Sequence, residues 1–274
     1  MDPRLLTSKE NSLLKSIRLA ASEARRSARE YVVAEGLRAV REAARSGHVL
    51  EAVLISQNFA SSAEETATLA EWLPRHVHIR RTTDSLFKSV SGVQSPQGIL
   101  ALVRVPVVAL GEAALPPNPL ILCACGIQDP GNLGTLVRTA TAARASMVCT
   151  TPGSASARNP KAIRASAGTF FHIPVIERVS AGQLVELSAR KNIKLYRTDA
   201  AAAQSYLDCD FRSACAVLLG NESAGVAADE WPGAVSIGIP TTPEVESLNV
   251  AAAGAIILFE AYRQRILTSQ QGFR

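Results

Sequence analysis

Long apolar stretches are missing from this 274-residue sequence. The longest run without a polar side chain, residues 250–259, is well short of the roughly 20 residues needed to cross a bilayer, so no membrane span is expected. The opening Met-Asp-Pro is not followed by a basic stretch and an apolar core, so no secretory signal is legible and the cytoplasm is the expected compartment. The five cysteines, Cys123, Cys125, Cys149, Cys209 and Cys215, are odd in number, irregularly spaced and contain no Cys-x-x-Cys pair, so neither a disulfide framework nor a zinc site is supported. The four histidines are scattered, His76 and His78 being nearest neighbours, and no metal is expected. Three motifs are also absent: the Gly-x-Gly-x-x-Gly dinucleotide fingerprint, the Gly-x-x-x-x-Gly-Lys-Ser/Thr phosphate loop and the Gly-x-Ser-x-Gly nucleophile elbow. Hydrolase chemistry loses its best support with the last of them.

A hydrophobic content of 47% rules out a mainly disordered chain, and the length favours two domains with separate cores. The net charge of +5 is concentrated at the start, where residues 1–50 hold ten Lys+Arg against six Asp+Glu. Wound as a helix from Ser12, this segment gathers Lys15, Arg18, Arg25 and Arg26 on one side and Leu13, Leu14, Ile17 and Ala20 opposite. The cationic side reads either as a solvated helix face or as a phosphate-contacting surface. β-rich runs at 31–33, 49–55, 77–80 and 98–105 alternate with helical patterns at 36–46 and 63–72, the signature of a small α/β layer. A linker over 106–118 carries Pro106, Pro116, Pro117 and Gly111, which divides the chain into domains 1–105 and 119–274. The second domain predicts strands at 120–125, 147–150, 171–176, 194–197, 215–219 and 235–239. Helices are predicted near 133–144, 161–165, 183–190 and 248–267. Its continuous apolar strands suit a parallel sheet covered on both faces.

Ligands of such sheets gather where loops leave the carboxyl ends of strands. Three of these loops combine Gly or Pro with polar side chains: residues 126–134, with Arg138 in the following helix, residues 219–225, and residues 239–249. Taken singly each has a plain structural account, with Asn132 or Ser247 capping a helix, Glu222 a solvated loop acid and Arg138 a surface ion-pair partner. Their joint occurrence at three strand ends points to a binding site.

Asp129-Pro-Gly-Asn-Leu-Gly-Thr-Leu-Val-Arg-Thr-Ala140, Leu218-Leu-Gly-Asn-Glu-Ser-Ala-Gly225, and Ile239-Pro with Glu246-Ser-Leu-Asn-Val250 resemble the three ordered motifs of the SpoU/TrmH RNA 2′-O-methyltransferases. Thr7-Ser8-Lys9-Glu10 with Lys15, and Tyr31-Val-Val-Ala-Glu-Gly36, resemble the substrate-binding domain often found ahead of that catalytic domain. The resemblance implies a small ribosomal-protein-like α/β domain followed by an α/β parallel-sheet domain with a trefoil knot. It further implies a homodimer using S-adenosylmethionine, with RNA as substrate, ribosomal RNA ahead of transfer RNA. By the same likeness Arg138 activates the ribose 2′-hydroxyl, and Asn132, Glu222, Ser247 and Asn249 are its polar companions in catalysis. Thr198, Leu219, Gly220, Asn221, Ile239 and Leu248 line the cofactor, while Lys15, Arg18, Arg25 and Arg26 contact RNA. The sequence departs from the family pattern at Cys125, where an acid is common, at Arg144, often Gly, at Thr241-Thr-Pro243 and at Ala251, often Ser. A transfer-RNA or antibiotic-resistance rRNA methylase is the near alternative, and a non-catalytic RNA-binding or ribosome-assembly factor the distant one.

Overall fold

A computed structural model describes residues 5–22, 30–60, 69, 71–73, 77–221 and 225–271, with backbone alone at 60 and 268–271. Its strands are β1 (Leu5–Leu6), β2 (Tyr31–Glu35), β3 (Val49–Ser56), β4 (Ile79–Thr82), β5 (Ile99–Arg104), β6 (Leu120–Cys125), β7 (Met147–Thr150), β8 (Val175–Ile176), β9 (Lys194–Thr198), β10 (Cys215–Gly220) and β11 (Val235–Ile237). The helices that matter below are α1 (Ser12–Ala21), α2 (Leu37–Arg45), α3 (Asp84–Lys88), α4 (Pro130–Ala142), α5 (Pro160–Ala165), α6 (Ala181–Lys191) and α7 (Val250–Gln271). The chain divides into two units, Met1–Val107 with Ala157–His172, and Val108–Ser156 with Ile173–Arg274.

In the first unit β1, β4, β3, β5 and β2 form one sheet in that order, parallel from β1 to β3 and antiparallel from β3 through β5 to β2. Leu14, Ile17 and Ala20 recur at helical spacing on α1, are buried, and pack with Val33, Leu54, Phe87 and Leu100. Asn11 starts this helix by accepting the Leu13 amide at 3.0 Å, and the helix ends at Ala21. Only Lys15 and Arg18 of the expected cationic face therefore lie on it; Arg25 and Arg26 fall outside the described residues, as does most of the predicted 63–72 helix. Residues 157–172 join this unit, with α5 against β2 and the Thr169–His172 turn against α2.

The second unit is built on a wholly parallel sheet in the order β11, β9, β10, β6, β7, β8. Every residue of β6 and β7 is buried, as are Cys215 to Leu219 of β10, in keeping with the continuous apolar runs that a two-sided parallel sheet requires. The expected α/β class with a parallel C-terminal sheet is thus what the chain forms. The strand expected at 171–176 is corrected: Thr169–His172 is a 3₁₀ turn and only Val175–Ile176 pairs. Ala167 and Gly168 both take positive φ, 53° and 85°, which coils the chain ahead of Phe171. The predicted 77–80 strand pairs instead over 79–82.

Candidate active site

From β6 the chain runs on to β7 and β8 at one side of the sheet, whereas β9, β10 and β11 occupy the other. Strand order therefore reverses between β6 and β10, and the crevice off the carboxyl ends at such a point is where open α/β sheets bind ligands.

The loop after β6 enters α4 with Asp129 as its cap: Asp129 Oδ2 accepts the Asn132 amide at 3.1 Å and Pro130 opens the first turn. The capping account of Asn132 gives way to this arrangement, and its side chain serves another purpose. Asn132 Oδ1 accepts from Asn249 Nδ2 at 3.3 Å, which joins residues 117 positions apart. Asn249 is itself fixed, because its Oδ1 accepts the amides of Ala251 at 3.0 Å and Ala252 at 3.3 Å and so caps α7. Asn249, not Ser247, fills that capping role.

Off the ends of β9, β10 and β11 lies a cavity of about 410 Å³, within the range typical of small-molecule sites. It is lined by Thr198, Leu219, Gly220, Asn221, Ile239, Ser247 and Leu248, seven of the residues singled out in the sequence. Ile237, Val250 and Ile257 supply apolar wall, which suits the flat face of a nucleoside. Gly220 is obligatory: a Cβ there would collide with the backbone of Gly225, which folds back so that its amide donates to Asn221 O at 3.1 Å. The Thr198 hydroxyl is committed to Leu218 O at 3.0 Å and ties β9 to β10.

One corner of the cavity is charged and was not read from the sequence. Arg197 and Asp199 flank Thr198 and form an ion pair, Nη1 to Oδ2, at 3.1 Å. Asp199 also accepts from Ala201 N at 2.9 Å and Ser236 Oγ at 3.1 Å. The Ala201 amide foremost, with Ser236 and Arg197, holds its carboxyl below the usual carboxylate range. Opposite charges flanking a strand's last residue were the available signal.

Arg138 lies apart from these groups. It is exposed on α4, is not among the residues lining the cavity, and makes no ion pair among the described residues, contrary to the surface-pair account. Glu222 lies outside the described residues. In the first unit, Lys15 pairs with Glu10 at 2.6 Å on the surface, and Arg18 donates to Lys9 O at 2.9 Å, which fastens the preceding loop to α1. The family departures have local accounts. Arg144 takes φ 55° just past the end of α4, the left-handed position that glycine fills most cheaply, and its guanidinium lies 6.0 Å from the Tyr262 ring centroid. Cys125 is buried in the sheet core, Thr241 lines the cavity, and Ala251 is buried in the first turn of α7. Among the described residues, no group of three or more His, Cys, Asp or Glu side chains could hold a metal ion.

A parallel sheet with a ligand-sized cavity off its carboxyl ends, lined by two loops and bonded to a third, defines the open α/β ligand-binding class. The comparisons with known proteins make the assignment narrower. The SpoU rRNA Methylase family matches residues 119–259, and an MRM3-like substrate binding domain matches residues 11–101. A 23S rRNA (guanosine(2553)-2′-O)-methyltransferase of Bacillus subtilis is 30% identical over 93% of this chain and 97% of its own length. A 23S rRNA (guanosine-2′-O-)-methyltransferase of Xylella fastidiosa is 32% identical over 70% of this chain and 80% of its own. Among solved structures, an RNA 2′-O ribose methyltransferase superposes with a TM-score of 0.79 at 29% identity, covering 96% of this chain and 99% of that one. An AdoMet-bound rRNA methyltransferase from Sinorhizobium meliloti gives 0.75 at 25%, covering 94% and 97%. The chain belongs to the SpoU rRNA methylase family.

Proposed function

We propose that this chain transfers the methyl group of S-adenosylmethionine to a ribose 2′-hydroxyl of ribosomal RNA and that it works in the cytoplasm. The observation that carries the reading is the convergence of the three loops: two line one cavity, and the third is bonded to them through Asn132 and Asn249. The cavity's apolar wall and the glycine-narrowed loop at Gly220 fit the adenosine portion of the cofactor, with Thr198, Leu219, Asn221, Ile239 and Leu248 around it. When bound, the cofactor supplies an activated sulfonium methyl.

The protein's task is then to present a sugar oxygen in line and to manage its proton. A guanidinium stays protonated at neutral pH, so Arg138 acts by stabilising the developing alkoxide rather than as a base. Asn132 and Asn249, each fixed by the other, orient the ribose, with Ser247 and Glu222 completing the polar set. Lys15, Arg25 and Arg26 supply phosphate contacts in the first unit; the Arg18 guanidinium contributes there while holding its loop. A trefoil knot and a two-copy assembly belong to the same reading and rest on family membership. Phe259, 47% exposed on α7, provides apolar surface for a second copy.

The test is incubation of purified protein with methyl-labelled cofactor and either naked 23S rRNA or large-subunit particles, followed by nuclease mapping of the labelled ribose. Arg138→Ala is expected to lower kcat by about 100-fold or more while cofactor affinity in calorimetry is retained. Failure of the wild-type protein to label any RNA would sink the proposal. Light scattering should give twice the 29.0 kDa chain mass.

A further inference from the structure

The first unit holds a second cavity, of about 300 Å³, walled by residues 35–39, 93–97 and 164–167. Its construction begins with Glu35, whose side chain is 3% exposed. That carboxylate accepts from the Ser91 hydroxyl, from Gly92 N at 3.1 Å and from Arg164 Nη1 at 2.9 Å. Its negative charge is thereby turned inward and satisfied, and it ties the three walls together.

What the cavity offers to solvent is a set of donors. Arg38 is exposed and makes no ion pair among the described residues. Arg164 gives one N–H to Glu35 and another to Gly92 O at 3.4 Å, and of the five N–H groups of a guanidinium the others remain as donors. Gln97 Oε1 accepts the Leu37 amide at 3.0 Å, so the orientation of this amide leaves its Nε2 as donor; the Ser95 hydroxyl lies beside it. The first amide of α2 is already spent on Gln97, so it is side chains that give the cavity its character. Two guanidiniums against one consumed carboxylate leave a formal charge of +1, which matches one phosphodiester.

We propose that this cavity seats a backbone phosphate of the substrate RNA between Arg38 and Arg164. The proposal rests on the reading that RNA is the substrate, and it adds a site distinct from the α1 face. Such a contact fixes register and orientation without reading sequence.

The test uses the full chain and labelled, transcribed 23S rRNA, titrated from low to moderate salt. Arg38→Ala is expected to weaken binding 3- to 10-fold near 0.1 M salt and to reduce the slope of log K against log salt by nearly one. Gln97→Glu, which keeps the bond to Leu37 but places a carboxylate in the cavity, should weaken binding at least as much. Arg45→Ala, on the same helix but outside the cavity, should do less than half of either, and all three should bind S-adenosylmethionine as the wild type does. Equal effects of Arg38→Ala and Arg45→Ala would reduce the site to general surface charge and overturn it. So would unchanged binding by Gln97→Glu. Wild-type protein that binds no 23S rRNA would overturn the functional reading and this inference together, whereas wild-type binding with unaffected variants removes the inference alone.

Discussion

At the residue scale the cysteines show how burial changes chemistry that the sequence only names. Cys123 on β6 and Cys149 on β7 are register partners, both fully inside the sheet. Burial foremost, with Cys125 nearby, pushes the Cys149 thiol up to about 12; hydrogen bonding to Cys125 and burial push Cys123 up as well. In the unfolded chain a thiol titrates near 8.5. Below that pH both states keep their protons, and above it the unfolded chain releases protons that the folded one holds. Stability should therefore fall as pH rises from about 8.5 towards 12, by about 1.4 kcal/mol per pH unit for each such thiol. Urea midpoints at pH 8 and pH 10 check this, and Cys149→Ala should flatten the difference between them. The capping residues teach a related lesson. Local chemistry allowed Asn132 or Ser247 as caps, but the geometry chose Asp129 and Asn249, and the Asn132 side chain accepts a tertiary bond from Asn249 at 3.3 Å instead.

At the scale of elements, α7 connects the core to the cavity. It packs on α4 and β10, and Gly254 sits at the crossing, where an added Cβ would run into Leu136 and Leu219. Leu219 also lines the cavity, so pressure on the helix is transmitted to the ligand site. Gly254→Val is expected to cost about 1–3 kcal/mol in overpacking and to weaken S-adenosylmethionine binding about 10-fold, measurable by calorimetry on the folded variant. Native affinity in that variant would show that Leu219 repacks away from the cavity. Most elements were legible because their signals are local: apolar runs for β6 and β10, and 3.6-residue spacing for α1. The predicted 171–176 strand failed where Phe171 and Ile176 looked β-like but Ala167 and Gly168 had already turned the chain.

At the scale of the whole molecule, the sequence divided into two by composition, yet the SpoU family match at 119–259 contains residues 157–172, which belong to the first unit. Two arginines, Arg158 buried and Arg164 partly so, hold that segment. Arg158 donates to Val105 O at 3.0 Å and Pro106 O at 2.9 Å, and Arg164 reaches Glu35, 129 positions away. Glu35→Ala leaves the Arg164 charge without its carboxylate and should destabilise the first unit by about 3 kcal/mol, seen as a lower urea midpoint. A midpoint within error of wild type would mean that the segment is held without this pair.

The sequence by itself determined the class of the sheet, the strand ends and the three loops, because apolar periodicity and turn chemistry act over a few residues. The same holds for Leu219, Gly220 and Ile239, which follow directly from where β10 and β11 stop. Strand order, the meeting of Asn132 with Asn249, the charged corner at Arg197 and Asp199, and the lending of Arg164 to Glu35 were decided by the tertiary structure. The Asn132–Asn249 and Glu35–Arg164 pairings join groups more than a hundred residues apart and form only when folding brings otherwise unrelated segments within hydrogen-bonding distance, while the Arg197–Asp199 pair, two residues apart, becomes a site feature only because the ends of β9, β10 and β11 enclose it.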